Sequence, residues 1–136
     1  VATSIATTFA TAKKMIDHLL GNATWAMTTQ LLLALHHGSP GRSGSTAFEL
    51  STSGTGYGRK DITGLMSPAH MTAGTSKLTA DIAFGPGVVD LSDASDVSLH
   101  DQDGSMMLFS NLFERQAWRA GKTMPIRAGA IDITLD

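Results

Sequence analysis

The sequence predicts a mainly β protein, a sandwich or barrel of short antiparallel strands with one amphipathic helix at its N-terminal end. Three observations predict it. Only the first twenty residues carry a helical apolar period, and that period does not return over any long window after Gly21. Several short strand-like runs follow, bounded by frequent Gly, Pro, Asp and Ser turn signals. The composition is poor in charge, at 16%, and rich in small residues, including 14 glycines.

The helix is expected over about residues 4–20. Ile5, Phe9, Ala12, Ile16 and Leu19 recur at steps of four and three and so share one stripe. Ser4 stands at the N-cap position and Gly21 just past the last periodic residue. Lys13, Lys14 and His18 lie toward the C-terminal end, where the macrodipole favours positive charge. Thr7, Thr8 and Thr11 lower the helical propensity, so the helix needs a surface to lie on. Its stripe is expected to pack on the chain's own sheets, the alternative being a neighbouring subunit. A signal peptide is rejected because its apolar core would be continuous.

The strands follow in order. Leu31 to Leu35 is a short apolar run ending in the turn cluster Gly38-Ser39-Pro40-Gly41, which predicts a buried strand. Residues 38–58 read as a long surface loop containing a short strand at Ala47 to Leu50. From Lys77 to Phe84 the pattern alternates, placing Leu78, Ala80, Ile82 and Phe84 toward the core and Lys77, Thr79 and Asp81 in water. Val97 to His100 and Met106 to Phe109 flank Asp103-Gly104 and predict a hairpin. Met124 to Arg127 and Ile131 to Leu135 are the last two strands. No repeat or linker divides the chain, so residues 1–136 are expected to form a single domain.

A chain of 136 residues can bury about two-thirds of its unfolded surface, enough for one core without a metal or disulfide. The net charge of −2 and a pI near 6.2 argue against a polybasic nucleic-acid binder. No stretch approaches the roughly 18 continuous apolar residues of a membrane span. The absence of cysteine removes disulfides, thiol catalysis and cysteine-ligated metals.

Four groups of residues are of types that could carry chemistry. His36 and His37 are adjacent on a strand and should face opposite ways, and a zinc site would need His18, His70 and His100 to converge from distant elements. Hydrogen-bonded or solvated histidines are the simpler expectation. The acidic run Asp90, Asp93, Asp96, Asp101 and Asp103 includes Asp101-Gln102-Asp103-Gly104-Ser105, which echoes a calcium loop but has no bidentate glutamate after it. A β-turn explains that segment more simply. Gly54-Thr55-Gly56-Tyr57-Gly58-Arg59-Lys60 has neither phosphate-loop spacing, and Ser43 lacks the spacing of a nucleophile elbow. Glu49 and Glu114 are the only glutamates. The expectation is therefore no enzyme, no catalytic residue, no metal and no cofactor.

One ordered set of segments is more specific than any of these motifs. It runs from Ala12-Lys13-Lys14-Met15-Ile16-Asp17-His18-Leu19-Leu20-Gly21 through Leu31-Leu32-Leu33-Ala34-Leu35-His36, Glu49-Leu50-Ser51 and Gly56-Tyr57-Gly58-Arg59-Lys60. Asp101-Gln102-Asp103-Gly104-Ser105-Met106-Met107-Leu108-Phe109, Ala120-Gly121-Lys122 and Ile126 to Leu135 complete it. The set resembles a family of small tailed-phage virion proteins, known as tail-fibre or head-decoration proteins, from about Thr11 to Leu135. The resemblance implies a single jelly-roll-like β-sandwich that assembles as a symmetric homo-oligomer, a trimer by expectation, with no catalytic residues to carry over. The chain departs from the family pattern around Val88 to Leu99, where it carries an Asp-rich run. The leading expectation is a capsid decoration, or cement, protein bridging major capsid protein subunits on the outer head surface. The alternative is a tail or collar fibre component that contacts a host receptor such as a carbohydrate. An aromatic content of 6% leaves few platforms for sugars and tilts the balance toward cement. Trp25, Trp118 and Phe113 are candidate interface anchors, with core burial the competing reading. The expected partners are further copies of the chain and the major capsid protein, with neither nucleic acid nor membrane.

Overall fold

Strand alternation and turn residues place nine strands and one helix among the described residues. In the computed structural model, which describes residues 6–69, 71 and 74–134, the order is β1 (Ala6–Thr7), α1 (Phe9–Leu19), β2 (Leu32–His36), β3 (Lys60–Asp61) and β4 (Thr75–Lys77). It continues with β5 (Ile82–Phe84), β6 (Ala94–His100), β7 (Met106–Gln116), β8 (Met124–Ile126) and β9 (Asp132–Thr134). The protein is mainly β with an N-terminal helix, as the pattern predicts. Five strands form an antiparallel sheet in the order β1-β7-β6-β2-β3, and β4-β9 and β5-β8 form two antiparallel ribbons.

The expected hairpin about Asp103-Gly104 is the spine of the sheet. Its turn closes with Asp101 N–H donating to the Ser105 carbonyl at 3.1 Å, and both strands run further than the alternation alone marks. β2 pairs with β6 so that Leu33 faces Leu99 and Leu35 faces Val97, which puts these four on one face of the sheet. That face shares one apolar core with Ile82 and Phe84 of β5 and Met124 and Ile126 of β8, giving a sandwich-like layering of sheet over ribbon. Trp118, 1% exposed, fills the centre, and Tyr57 stacks on Phe84 (6.1 Å between ring centroids) and meets Trp118 edge-on at 5.7 Å. Burying each such side chain contributes on the order of 1.5–3 kcal/mol.

Five local expectations need correction. The helix begins at Phe9, not near residue 4, because Ala6 and Thr7 are extended and pair with Phe109 and Leu108 of β7. Thr8 is the N-cap, its hydroxyl accepting from the Thr11 amide at 3.3 Å; the expected cap Ser4 and stripe residue Ile5 lie outside the described residues. The apolar stripe does not pack on the sheet. Phe9, Ile16 and Leu19 are 61%, 55% and 78% exposed, and Thr11 is the helix's buried residue. Pairing of β1 fixes how the chain enters the helix, and the Thr8 hydroxyl then anchors it to the Met106 carbonyl at 3.0 Å.

The segment from Lys77 to Phe84 is likewise not one strand. It leaves the β4-β9 ribbon at Leu78, whose amide donates to the Ile131 carbonyl, and re-forms as β5 against β8. Leu78, Ile82 and Phe84 are buried as the alternation requires, and Ala80, in the crossover, is half-buried. Ala47 to Leu50 forms a single bridge, Glu49 to His36, rather than a strand. Finally, residues 38–58 are not wholly a surface loop, since Leu50, Thr55 and Tyr57 are buried. Gly56 permits this: its φ is +78°, and a Cβ there would lie 2.4 Å from the Pro86 carbonyl oxygen. The last expected strand is present as β9, with Ile131 buried just before it and Leu135 outside the described residues.

Candidate functional site

The face of the sheet opposite the apolar core carries the densest polar cluster. Alternation along β6 puts Asp96, Ser98 and His100 on that face, and the register with β2 sets Ala34 and His36 beside them. His36, Ser98 and His100 are 0%, 1% and 0% exposed. Their hydrogen bonds fix each proton. The Gly104 carbonyl can only accept, so His100 donates to it from Nδ1 at 2.9 Å. A neutral His100 then presents a bare Nε2, which accepts the Ser98 hydroxyl at 2.8 Å. Ser98 Oγ in turn accepts from His36 Nε2–H at 2.7 Å, leaving His36 Nδ1 as a buried lone pair without a hydrogen-bond partner. Burial holds both imidazoles below the ordinary histidine range, against the opposing pull of Glu49 on His36 and of the Gly104 carbonyl on His100.

A second cluster completes the edge of β2 beyond the end of β3. The Leu35 amide donates to the Tyr57 hydroxyl at 2.9 Å, and that hydroxyl donates to Glu49 Oε1 at 3.1 Å. Arg59 grips both oxygens of Glu49 at 2.9 Å. Burial raises the affinity of Glu49 for a proton, yet the Arg59 fork outweighs it and holds the carboxyl below its usual range. Burial pushes the Tyr57 phenol well up. The Gly54 to Lys60 segment thus serves to deliver Tyr57 and Arg59 to the sheet edge, with Arg59 neutralised by a carboxylate of the same chain.

A serine between two imidazoles has the elements of a nucleophile and its bases. Here no surface of Ser98 admits a reacting carbonyl, so the trio is a cross-brace between β2 and β6. The predicted separation of His36 from His37 is observed: His37 turns outward and meets the Phe48 ring edge-on at 5.5 Å. Of the histidines considered for zinc, His18 sits on the exposed helix end and accepts from the Trp25 amide, His100 is in the buried trio, and His70 lies outside the described residues. Among the described residues no group of three or more histidines and carboxylates is placed to hold a metal ion.

The acidic run does not converge. Asp90 accepts from the Ala120 amide, Asp93 pairs with Arg119 at 3.0 Å, and Asp96 accepts from Ser95. Asp101 Oδ1 accepts from the amides of Asp103 and Ser105, each at 3.0 Å, so this carboxylate builds the hairpin turn. Of the aromatic candidates, Trp118 takes the core reading, its Nε1 donating to the Thr55 carbonyl at 3.3 Å; Trp25 is half-buried, and the Phe113 and Glu114 side chains lie outside the described residues. A shallow groove lined by Thr28, Thr29, Gln30, Leu31, Thr63 and Met107 has no aromatic platform in it.

The pairing of His36 with His100 escapes the sequence because it depends on strand register. The readable signal was polar alternation along Asp96, Ser98 and His100, in a strand whose other face is apolar. The segments Glu49-Leu50-Ser51 and Gly56 to Lys60, singled out for their order in the chain, do meet in space through Glu49, Tyr57 and Arg59. A family model described as podophage GP4 fiber I protein gp80 matches residues 6–134. No curated protein matches the chain.

Proposed function

The chain belongs to the podophage GP4 fiber I protein gp80 family, and from that premise we propose that it is a structural component of a tail fibre. The match over the whole span of the described residues carries this reading, and it favours the fibre alternative over a cement protein on the head. The architecture supports a part that works by shape and contact. Its polar clusters brace strands internally, and its most chemically suggestive trio is sealed from solvent. A fibre module transmits force and presents surface, so rigidity in the sheet is what its role requires. Attachment of the particle to its host is the process it serves, and turnover of a substrate is no part of it.

Labelling purified particles with a gold-conjugated antibody against the chain, alongside its copy number relative to the major capsid protein, tests the reading. Gold at the tail with a copy number far below parity is expected. A ratio near parity with gold over the head overturns it and restores the cement reading, because only the head lattice offers that many equivalent sites. Absence from the particle overturns both.

A further inference from the structure

The helix α1 presents its apolar stripe to solvent. Phe9, Ile16, Leu19 and Leu20 are 61%, 55%, 78% and 70% exposed, and helical spacing puts them on one continuous face. The Arg42 guanidinium lies 4.6 Å from the Phe9 ring centroid and leaves most of the ring exposed. The four side chains together present roughly 500 Å², close to the largest apolar patch a monomer ordinarily carries. A standard interface uses about 800 Å² from each partner, so the stripe is large enough to form the apolar centre of one.

Charge beside the stripe selects the occupant. Lys13 and Asp17, one turn apart, form an ion pair along one border of the stripe. A second α1 laid antiparallel across a two-fold axis centred near Met15 would set Lys13 of each copy opposite Asp17 of the other. A parallel two-fold arrangement would put this border of the two helices on opposite sides of the seam, where Lys13 of one copy could not reach Asp17 of the other. We infer that α1 is a self-association surface, at which two copies of the chain pack their stripes antiparallel about a two-fold axis. This contact departs from the three-fold assembly that the resemblance implied, and it does not depend on where in the particle the chain sits.

Light scattering on the purified chain during gel filtration tests it. The expected mass is about twice the 14.3 kDa of one chain. An Ile16→Asp/Leu19→Asp variant should run at the mass of one chain with an unchanged circular dichroism spectrum, since neither side chain belongs to the core. Lys13→Glu should weaken the dimer about tenfold, and adding Asp17→Lys should restore it. A monomeric wild-type chain overturns the inference, as does a dimer that persists in the double aspartate variant. A mass of three chains overturns the two-fold arrangement. None of these outcomes bears on the fibre reading, which rests on the chain's place in the particle.

Discussion

Ser98 illustrates how much one hydroxyl can organise. It donates to His100 and accepts from His36, so a single oxygen satisfies two buried imidazole nitrogens. Ser98→Ala would leave both without their partner, and a buried polar atom stripped of its hydrogen bond costs about 1–3 kcal/mol. The variant is expected to lose about 3 kcal/mol in urea unfolding, and a loss within experimental error would refute the bracing role. The same chain of bonds dictates tautomers. Nitrogen NMR at neutral pH should show His36 protonated at Nε2 and His100 at Nδ1; the reverse assignment would contradict the hydrogen-bond directions. Nothing in the adjacent residues reveals this trio, because Ser98 and His36 are separated by 62 positions and meet only through strand register.

Among the elements, α1 shows local signals and tertiary anchoring pulling apart. Its amphipathic period is legible in the sequence, but the face that docks is the threonine face. Thr8 both caps the helix and donates to Met106 of β7, so Thr8→Ala should cost about 1–2 kcal/mol and speed amide exchange at Thr11 and Ala12. Unchanged exchange there would mean that the cap does not hold the helix. The loop before β3 gives a sharper contrast. Gly54 and Gly56 both have positive φ, but only Gly56 faces a close backbone oxygen. Gly54→Ala therefore carries only conformational strain of about 1–2 kcal/mol. Gly56→Ala adds a steric clash and should cost about 3 kcal/mol or more. Equal losses in the two variants would show that the approach of Pro86 is unimportant.

For the whole molecule, buried ionisable groups tie stability to pH. His36 and His100 are neutral in the folded state and held below the 6.5 of a free imidazole, so the unfolded chain binds protons that the folded chain does not. Their contribution is complete above pH 6.5 and is lost as pH falls from there through their folded values. Glu49, held below 4.5, adds stability above that pH and loses it as pH falls further. The urea midpoint should thus decline in two successive windows on acidification, with His100→Gln removing part of the first. A midpoint independent of pH from 7.5 to 5 would contradict the buried neutral histidines.

The sequence by itself determined the mainly β class, the hairpin at Asp103-Gly104, the apolar faces of β2 and β5 and the existence of an amphipathic helix. Each of these depends on neighbours within a few positions, where side-chain period and turn geometry act directly. It also carried the ordered segments that mark a phage virion protein. Only the tertiary structure decided which way the helix stripe faces, that Tyr57 and Arg59 close on Glu49, and that His36 and His100 share one serine. Those outcomes follow from register between distant strands and from the short β1–β7 pairing. A shift of one residue in either would turn the same side chains to the opposite face.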